Sequence, residues 1–335
     1  MSSESRKVAI CCPDKLKGVL SAAEAARALA AGFRRGGVEA DELPLADGGE
    51  GTADALYAAL GGEWRQARVS DPLGREVEAR FLLLPDGQAV VESADAIGLW
   101  RLEAHELDPM RATSRGLGEL ILAATEAGAS GVLVALGGSA TVDGGEGMRE
   151  VLDGLPVPVT VACDVRNPLL GERGAARVFG PQKGASPAQV EELERRLAAI
   201  PQLAAVADLP GAGAAGGLGA ALAALGAKLV PGVRLVLEAV GFEARVRGAA
   251  LAVTGEGAVD RSSAEGKTPA GVAAACRRAG VPCAVFGGRV ESGSARELYA
   301  AGATAVFSLS GAPERARDDL AELGEALARL LQALS

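Results

Sequence analysis

The pentapeptide Asp-Gly-Gly-Glu-Gly stands twice in this chain, at Asp47–Gly51 and at Asp143–Gly147, and Thr254-Gly255-Glu256-Gly257 repeats its ending. Each copy follows an apolar, strand-like run and precedes a helix-like one. Carboxylates in such corners can hold a hard cation or accept a proton. The glycines beside them let the backbone approach a ligand or adopt positive φ. A turn that is only structural needs the glycines and has no use for so many acids. The excess of acids points to a site for an anionic ligand and its metal.

Other strand-to-helix corners carry compatible chemistry. Pro13-Asp14-Lys15-Leu16-Lys17-Gly18 offers two lysines to phosphate or carboxylate oxygens. Asp47-Gly48-Gly49-Glu50-Gly51-Thr52 stands after a strand, where doubly wound folds bind ligands. Gly137-Gly138-Ser139-Ala140-Thr141-Val142-Asp143 combines amides, hydroxyls and a carboxylate, a set suited to cradling phosphates at a helix N-terminus. Cys163-Asp164-Val165-Arg166-Asn167 places an acid and an amide after a strand, a pair that binds a metal or a substrate hydroxyl, or simply caps a turn. Glu256, Asp260, Lys267 and Thr268 complete the set. Two tempting patterns fail. Gly211-x-Gly213-x-x-Gly216 matches the dinucleotide fingerprint, but Pro210 precedes it where a strand is required. Gly266-Lys267-Thr268 ends like a phosphate-binding P-loop, yet Arg261 stands where its first glycine belongs.

The elements that must hold these corners are legible in the periodicity. Strands are expected at Lys7–Cys11, Glu39–Leu45, Gly131–Leu136, Val157–Ala162, Ala250–Thr254, Cys283–Phe286 and Ala303–Ser308. Helices are expected at Ser21–Arg35, opened by a Ser21/Glu24 capping box, and at Thr52–Leu60, Thr113–Ala127, Pro187–Ala207, Pro269–Ala279, Ala295–Ala300 and Glu314–Leu334. Between Glu63 and Glu92 the pattern alternates like antiparallel strands broken by DPLG and PDG turns. Strand–helix alternation at both ends predicts a Rossmann-like, doubly wound parallel-sheet α/β domain, discontinuous in sequence (residues 1–70 and 248–335), with a second α/β domain (71–247) inserted.

Composition removes whole classes of function. With 335 residues, 49% of them apolar and 23% charged, the chain can bury a sizeable core. A net charge of −9 without a basic stripe argues against nucleic acid. No apolar run approaches the ~20 residues of a membrane span, and MSSESRK lacks the apolar core of a secretory signal, so a cytoplasmic location is expected. Five cysteines without a CxxC pair read as reduced core residues. A single histidine, His105, makes a Ser-His-Asp triad there or a His-rich metal site untenable. The chemistry must rest on carboxylates, lysines, hydroxyls and amides.

In order and sequence these corners resemble the bacterial type-1 glycerate kinase family, whose members phosphorylate D-glycerate with ATP. The matching blocks are PDKLKGVLSA, PLADGGEGT, ATSRGLGELI, GGSATVDGGEGM, ACDVRNPL, FGPQKGAS, GAAGGLGAAL and VTGEGAVDRSSAEGKTPAG, running from Pro13 to Gly271. One departure stands out: only REVLDGLPVP joins Met148 to Val159, where that family has a longer segment. We read the short joint as a trimmed surface excursion.

The resemblance implies ATP with Mg²⁺, D-glycerate as acceptor, and a site in the cleft between two domains; it leaves room for a homodimer. Phosphoryl transfer needs positioning and charge neutralisation more than covalent chemistry. On that basis Asp47 or Asp164 is expected to orient or deprotonate glycerate, and Asp143 and Glu256 to stand on the metal or nucleotide side. Ser139 and Thr141 would hold phosphates, and Arg115 would either clamp the glycerate carboxylate or stand as a surface helix charge. Asp14, Lys15, Lys17, Gly48, Gly49, Glu50, Asn167, Gly255, Lys267 and Thr268 line the substrate and phosphates. The competing outcomes are phosphorylation giving 3-phosphoglycerate, a non-catalytic nucleotide-binding regulator and, more distantly, a nicotinamide-dependent oxidoreductase.

Overall fold

A computed structural model describes residues 8–260, 263 and 266–334. The chain divides into two compact units, one of Met1–Asp47, Asp54–Ala59 and Val233–Ser335, the other of Gly48–Ala53 and Leu60–Gly232. A boundary near Ser70 would cut off a strand from its partner. β3 (Glu63–Ser70) pairs along its whole length with β4 (Glu76–Leu83), and so belongs to the second unit. At the other end the division falls after Gly232, earlier than Gly248.

In the first unit five parallel strands lie in the order β11-β10-β9-β1-β2, with β1 Val8–Cys11, β2 Glu39–Glu42, β9 Leu251–Val259, β10 Cys283–Val290 and β11 Ala305–Ser308. From β1 the chain moves to one side to form β2; it later returns to add β9 on the other side. That reversal creates a topological switch point, and in open parallel sheets ligands bind outside the carboxyl ends of the strands there. The helix Ala22–Arg35 starts at Ser21, whose hydroxyl accepts from the Glu24 amide while the Glu24 carboxylate accepts from the Ser21 amide. Its apolar face joins Phe33 and Leu29 to Phe286, Leu320 and Ala328 in one core. Glu39–Leu45 was expected to be one strand, yet β2 stops at Glu42. Leu43 and Leu45 still donate to the carbonyls of Cys11 and Pro13, so the chain after β2 keeps running beside the chain after β1.

The second unit holds a six-stranded sheet, β3-β4-β5-β6-β7-β8, with β5 Gln88–Glu92, β6 Gly131–Ala135, β7 Val159–Cys163 and β8 Lys228–Pro231. β3 to β5 are antiparallel, matching the alternation and its turns, whereas β5 to β8 are parallel. Ile97, Leu117, Leu120, Ile121, Val134 and Val161 anchor its core. The expected helix Pro187–Ala207 ends at Ala198, because Pro201 cannot donate to a continuing helix; a 3-10 turn, Pro201–Val206, follows. Gly211-x-Gly213-x-x-Gly216 follows that turn and not a strand, and a methyl at Gly216 would lie 1.9 Å from the Thr141 carbonyl oxygen. These glycines serve close packing. Among the described residues no helix is long and apolar enough to cross a membrane.

Candidate active site

In the first unit the chemistry gathers at the switch point. Asp14 follows β1, and its amide donates to the carbonyl of Gly255 in β9. Its Oδ2 accepts from the Thr268 hydroxyl at 2.5 Å and its Oδ1 from the Lys15 amide at 2.7 Å. Asp14 is only 8% exposed. Burial first, and the negative charge of Asp47 second, push its carboxyl up to about 7 against the relief given by Thr268 and Lys15. Glu256 is raised for the same primary reason, burial, with Asp260 and Asp47 adding to it while Ser263 and Lys267 oppose it. Lys267 Nζ stands 3.8 Å from Glu256 Oε2, and Glu256 Oε1 is buried with no hydrogen-bond partner. Asp47 thus acts on a buried acid after β1, Asp14, and a half-buried one within β9, Glu256.

Three expectations change here. Thr254-Gly255-Glu256-Gly257 is not a strand-to-helix corner; it lies inside β9, with Gly255 opposite Phe286 and Glu256 opposite Gly287. An added methyl at Gly255 would lie 2.5 Å from the Phe286 ring, so this glycine serves packing. Thr268, expected at a phosphate, donates its hydroxyl to Asp14. Lys15 is half-buried, whereas Lys17 sits exposed on the tight turn that closes between Leu16 and Leu20.

In the second unit three corners meet at the carboxyl ends of β5, β6 and β7. Gly48 seats against Gly232 and Ala162, since a methyl on it would lie 2.4 Å from Gly232 Cα and 3.0 Å from Ala162 Cβ. A methyl on Gly137 would lie 3.1 Å from Gly49 Cα and 3.2 Å from the Glu50 nitrogen. The first Asp-Gly-Gly-Glu-Gly copy therefore lies within van der Waals reach of Gly137, at the head of the loop that leads to the second copy, because glycine keeps side chains out of the way. The amides of Gly51 and Ala53, at the start of the helix Thr52–Leu60, donate to the buried carboxylate of Glu92 at the end of β5. That anion sits at the N-terminus of the helix, where its charge is favourable.

Asp143 has a different set of partners. Its Oδ2 accepts from the amide and hydroxyl of Ser114 at 2.8 and 2.7 Å and from the Gly147 amide at 3.2 Å; its Oδ1 accepts from the Gly145 amide at 3.1 Å. A carboxylate with four donors of its own chain organises the loop and has little left for a metal. Ser114 also accepts from the Met148 amide, tying the loop to the helix Arg115–Glu126. Ser93 Oγ and the Ile97 carbonyl hold the amides of Gly137 and Ala140. Behind the loop lies Lys183, 3% exposed, whose Nζ donates to Ser139 Oγ at 3.1 Å and to the Thr141 carbonyl at 2.7 Å. Thr141 Oγ1 is buried with no partner.

Asp164 follows β7 and adds its charge to the environment of Cys163. Asn167 donates to the Arg173 carbonyl and its own carbonyl accepts from Gly213, both turn contacts. Arg115 bridges Glu119 and Glu150 on its helix surface. Glu92, Ser114 and Lys183 escaped residue-by-residue reading. Lys183 had a signal in the FGPQKGAS block, and Glu92 had one in being the acid that closes an apolar strand. Neither lies in a glycine-and-acid corner. The short joint after Met148 runs over the surface, with Glu150, Asp153 and Gly154 exposed and Leu152 tucked inward.

The model of the glycerate kinase family matches residues 9–155 and 155–335, the two stretches meeting inside that short joint. The glycerate 2-kinase of Escherichia coli strain K12 is 40% identical over 339 aligned residues, covering 89% of this chain and 89% of that protein. A glycerate kinase of Halalkalibacterium halodurans has the same identity and coverage. A crystal structure assigned to glycerate kinase 2 of Salmonella typhimurium LT2 superposes with a TM-score of 0.85 at 36% identity, covering 98% of both chains. With its acid-bearing corners gathered at strand ends, and with this likeness along nearly its whole length, the chain belongs to the glycerate kinase family.

Proposed function

We propose that this enzyme transfers the γ-phosphoryl group of ATP to the 2-hydroxyl of D-glycerate, giving 2-phosphoglycerate and ADP. The observation that carries the reading is the mutual action of Asp14, Asp47 and Glu256 at the switch point of the parallel sheet. Desolvated acids beside a like charge are suited to a cation and to a proton. The 2-position follows the name of the Escherichia coli relative, a glycerate 2-kinase.

Asp47 or Asp164 orients the acceptor hydroxyl and takes its proton as the oxygen bonds to the γ-phosphorus and the bond to ADP breaks. Lys15 and Lys267 offset the charge of two anionic substrates in a chain of net charge −9. Mg²⁺ suits this donor set: the partnerless Oε1 of Glu256 is a hard oxygen beside like charges that a cation would relieve. Among the described residues no three His, Cys, Asp or Glu side chains form a ready-made metal group. Mg²⁺ is ordinarily held by one or two carboxylates, with phosphate and water supplying the rest. When bound, it neutralises phosphate charge. We assign Glu256 to it, with Asp14 and Asp47 adjacent, and assign Asp143 to the loop. A cytoplasmic location and a homodimer belong to the same proposal.

Incubation with ATP, Mg²⁺ and D-glycerate tests it, with the product read by phosphorus NMR. ADP release that depends on D-glycerate and yields 2-phosphoglycerate supports the reading. A 3-phosphoglycerate product overturns the regiochemistry, and ADP release indifferent to glycerate overturns the function.

A further inference from the structure

The buried ammonium of Lys183 has no role in the reading so far. Its two named acceptors, Ser139 Oγ and the Thr141 carbonyl, are neutral. Asp143, the charged group acting on it, has both oxygens engaged by Ser114, Gly145 and Gly147. A lysine ammonium carries three donors, so one remains beyond these two contacts. In the same loop the hydroxyl of Thr141, 0% exposed, has no partner. A buried cation and a buried unpaired hydroxyl side by side are costly unless something polar and negative completes them.

We infer that Lys183, Ser139 and Thr141 form an oxyanion subsite, in which Lys183 recognises an anionic oxygen of a substrate from beneath the loop. The inference rests on the kinase reading and names the residue that supplies its charge. Two sources share the chemistry: a phosphate of the nucleotide and the carboxylate of the hydroxy acid. Burial pulls the Lys183 ammonium down to about 7, opposed by Asp143, so an arriving anion draws a proton onto it near neutral pH.

The test measures binding of Mg·ATP and of D-glycerate, each alone, by titration calorimetry on wild type, Lys183→Met, Lys183→Arg and Thr141→Val. Lys183→Met is expected to weaken one of the two by roughly 10–100-fold, the scale of a charged hydrogen bond. Lys183→Arg is expected to recover part of the loss. Which ligand suffers identifies the source of the oxyanion. Proton uptake, read from the difference between buffers of unlike ionisation heat, is expected in wild type and absent in Lys183→Met; a packing role would not move it. A folded Lys183→Met protein that binds both ligands within about twofold of wild type overturns the inference. If that variant does not fold, Lys183→Arg and Thr141→Val decide: wild-type affinities and proton uptake in both overturn it. A wild type that neither binds Mg·ATP nor phosphorylates glycerate overturns the kinase reading instead.

Discussion

The two Asp-Gly-Gly-Glu-Gly copies share five residues and use their aspartates in opposite ways. In the second copy Asp143 turns back on its own loop, holding the amides of Gly145 and Gly147 and both donors of Ser114. In the first copy the helix amides of Gly51 and Ala53 are held by Glu92, an acid 39 residues beyond Ala53. Asp47 instead raises the proton affinity of Asp14 and Glu256. Identical pentapeptides thus stand in unlike surroundings, one bound to its own loop and one beside other carboxyls.

Exchange of the two acids is the most forceful way to break this contrast. Asp47→Asn is expected to lower kcat by roughly 10²–10⁴-fold with KM for glycerate nearly kept, as for loss of a general base. Asp164→Asn belongs in the same assay, and near-native kcat in both variants overturns the base assignment. Next comes the structural copy. Asp143→Ala leaves the donors of Ser114, Gly145 and Gly147 unmatched and is expected to cost about 3 kcal/mol in urea unfolding. An unchanged midpoint would show that the loop does not depend on its acid.

The expected effect of Glu92→Gln is smaller, about 1–2 kcal/mol, because the amide keeps one acceptor for the helix start and loses the charge. If it leaves stability intact, Glu92 is not what holds the helix start. The smallest effect concerns pH. A carboxyl raised in the fold from 3.8 to about 7 favours its neutral form. Its cost is absent below about pH 4, grows between about 4 and 7, and is complete above 7. Asp14→Asn is therefore expected to raise Tm by a few degrees at pH 8 and to leave it unchanged at pH 4. A gain of equal size at both values would trace the effect to something other than charge.

The strands and helices around these corners were visible because local rules decide them. The Ser21/Glu24 capping box, the proline at the start of Pro187–Ala198 and the antiparallel alternation after Glu63 each act within a few residues. The first misreading came from the same locality. Gly255-Glu256-Gly257 looks like a loop by composition, yet pairing with β10 makes it strand. The partners of Arg115, Glu119 and Glu150, likewise come from packing, one of them 35 residues away.

By itself the sequence determined that acids, glycines and lysines cluster beside strands, since residue type and periodicity are properties of short segments. Only the tertiary structure decided which partners each acid meets. Asp14 meets Thr268 and Glu92 meets Gly51 across 254 and 41 residues of chain. Burial, hydrogen-bond supply and like-charge repulsion, which set whether a carboxylate binds, caps or titrates, exist only once such distant segments are packed together.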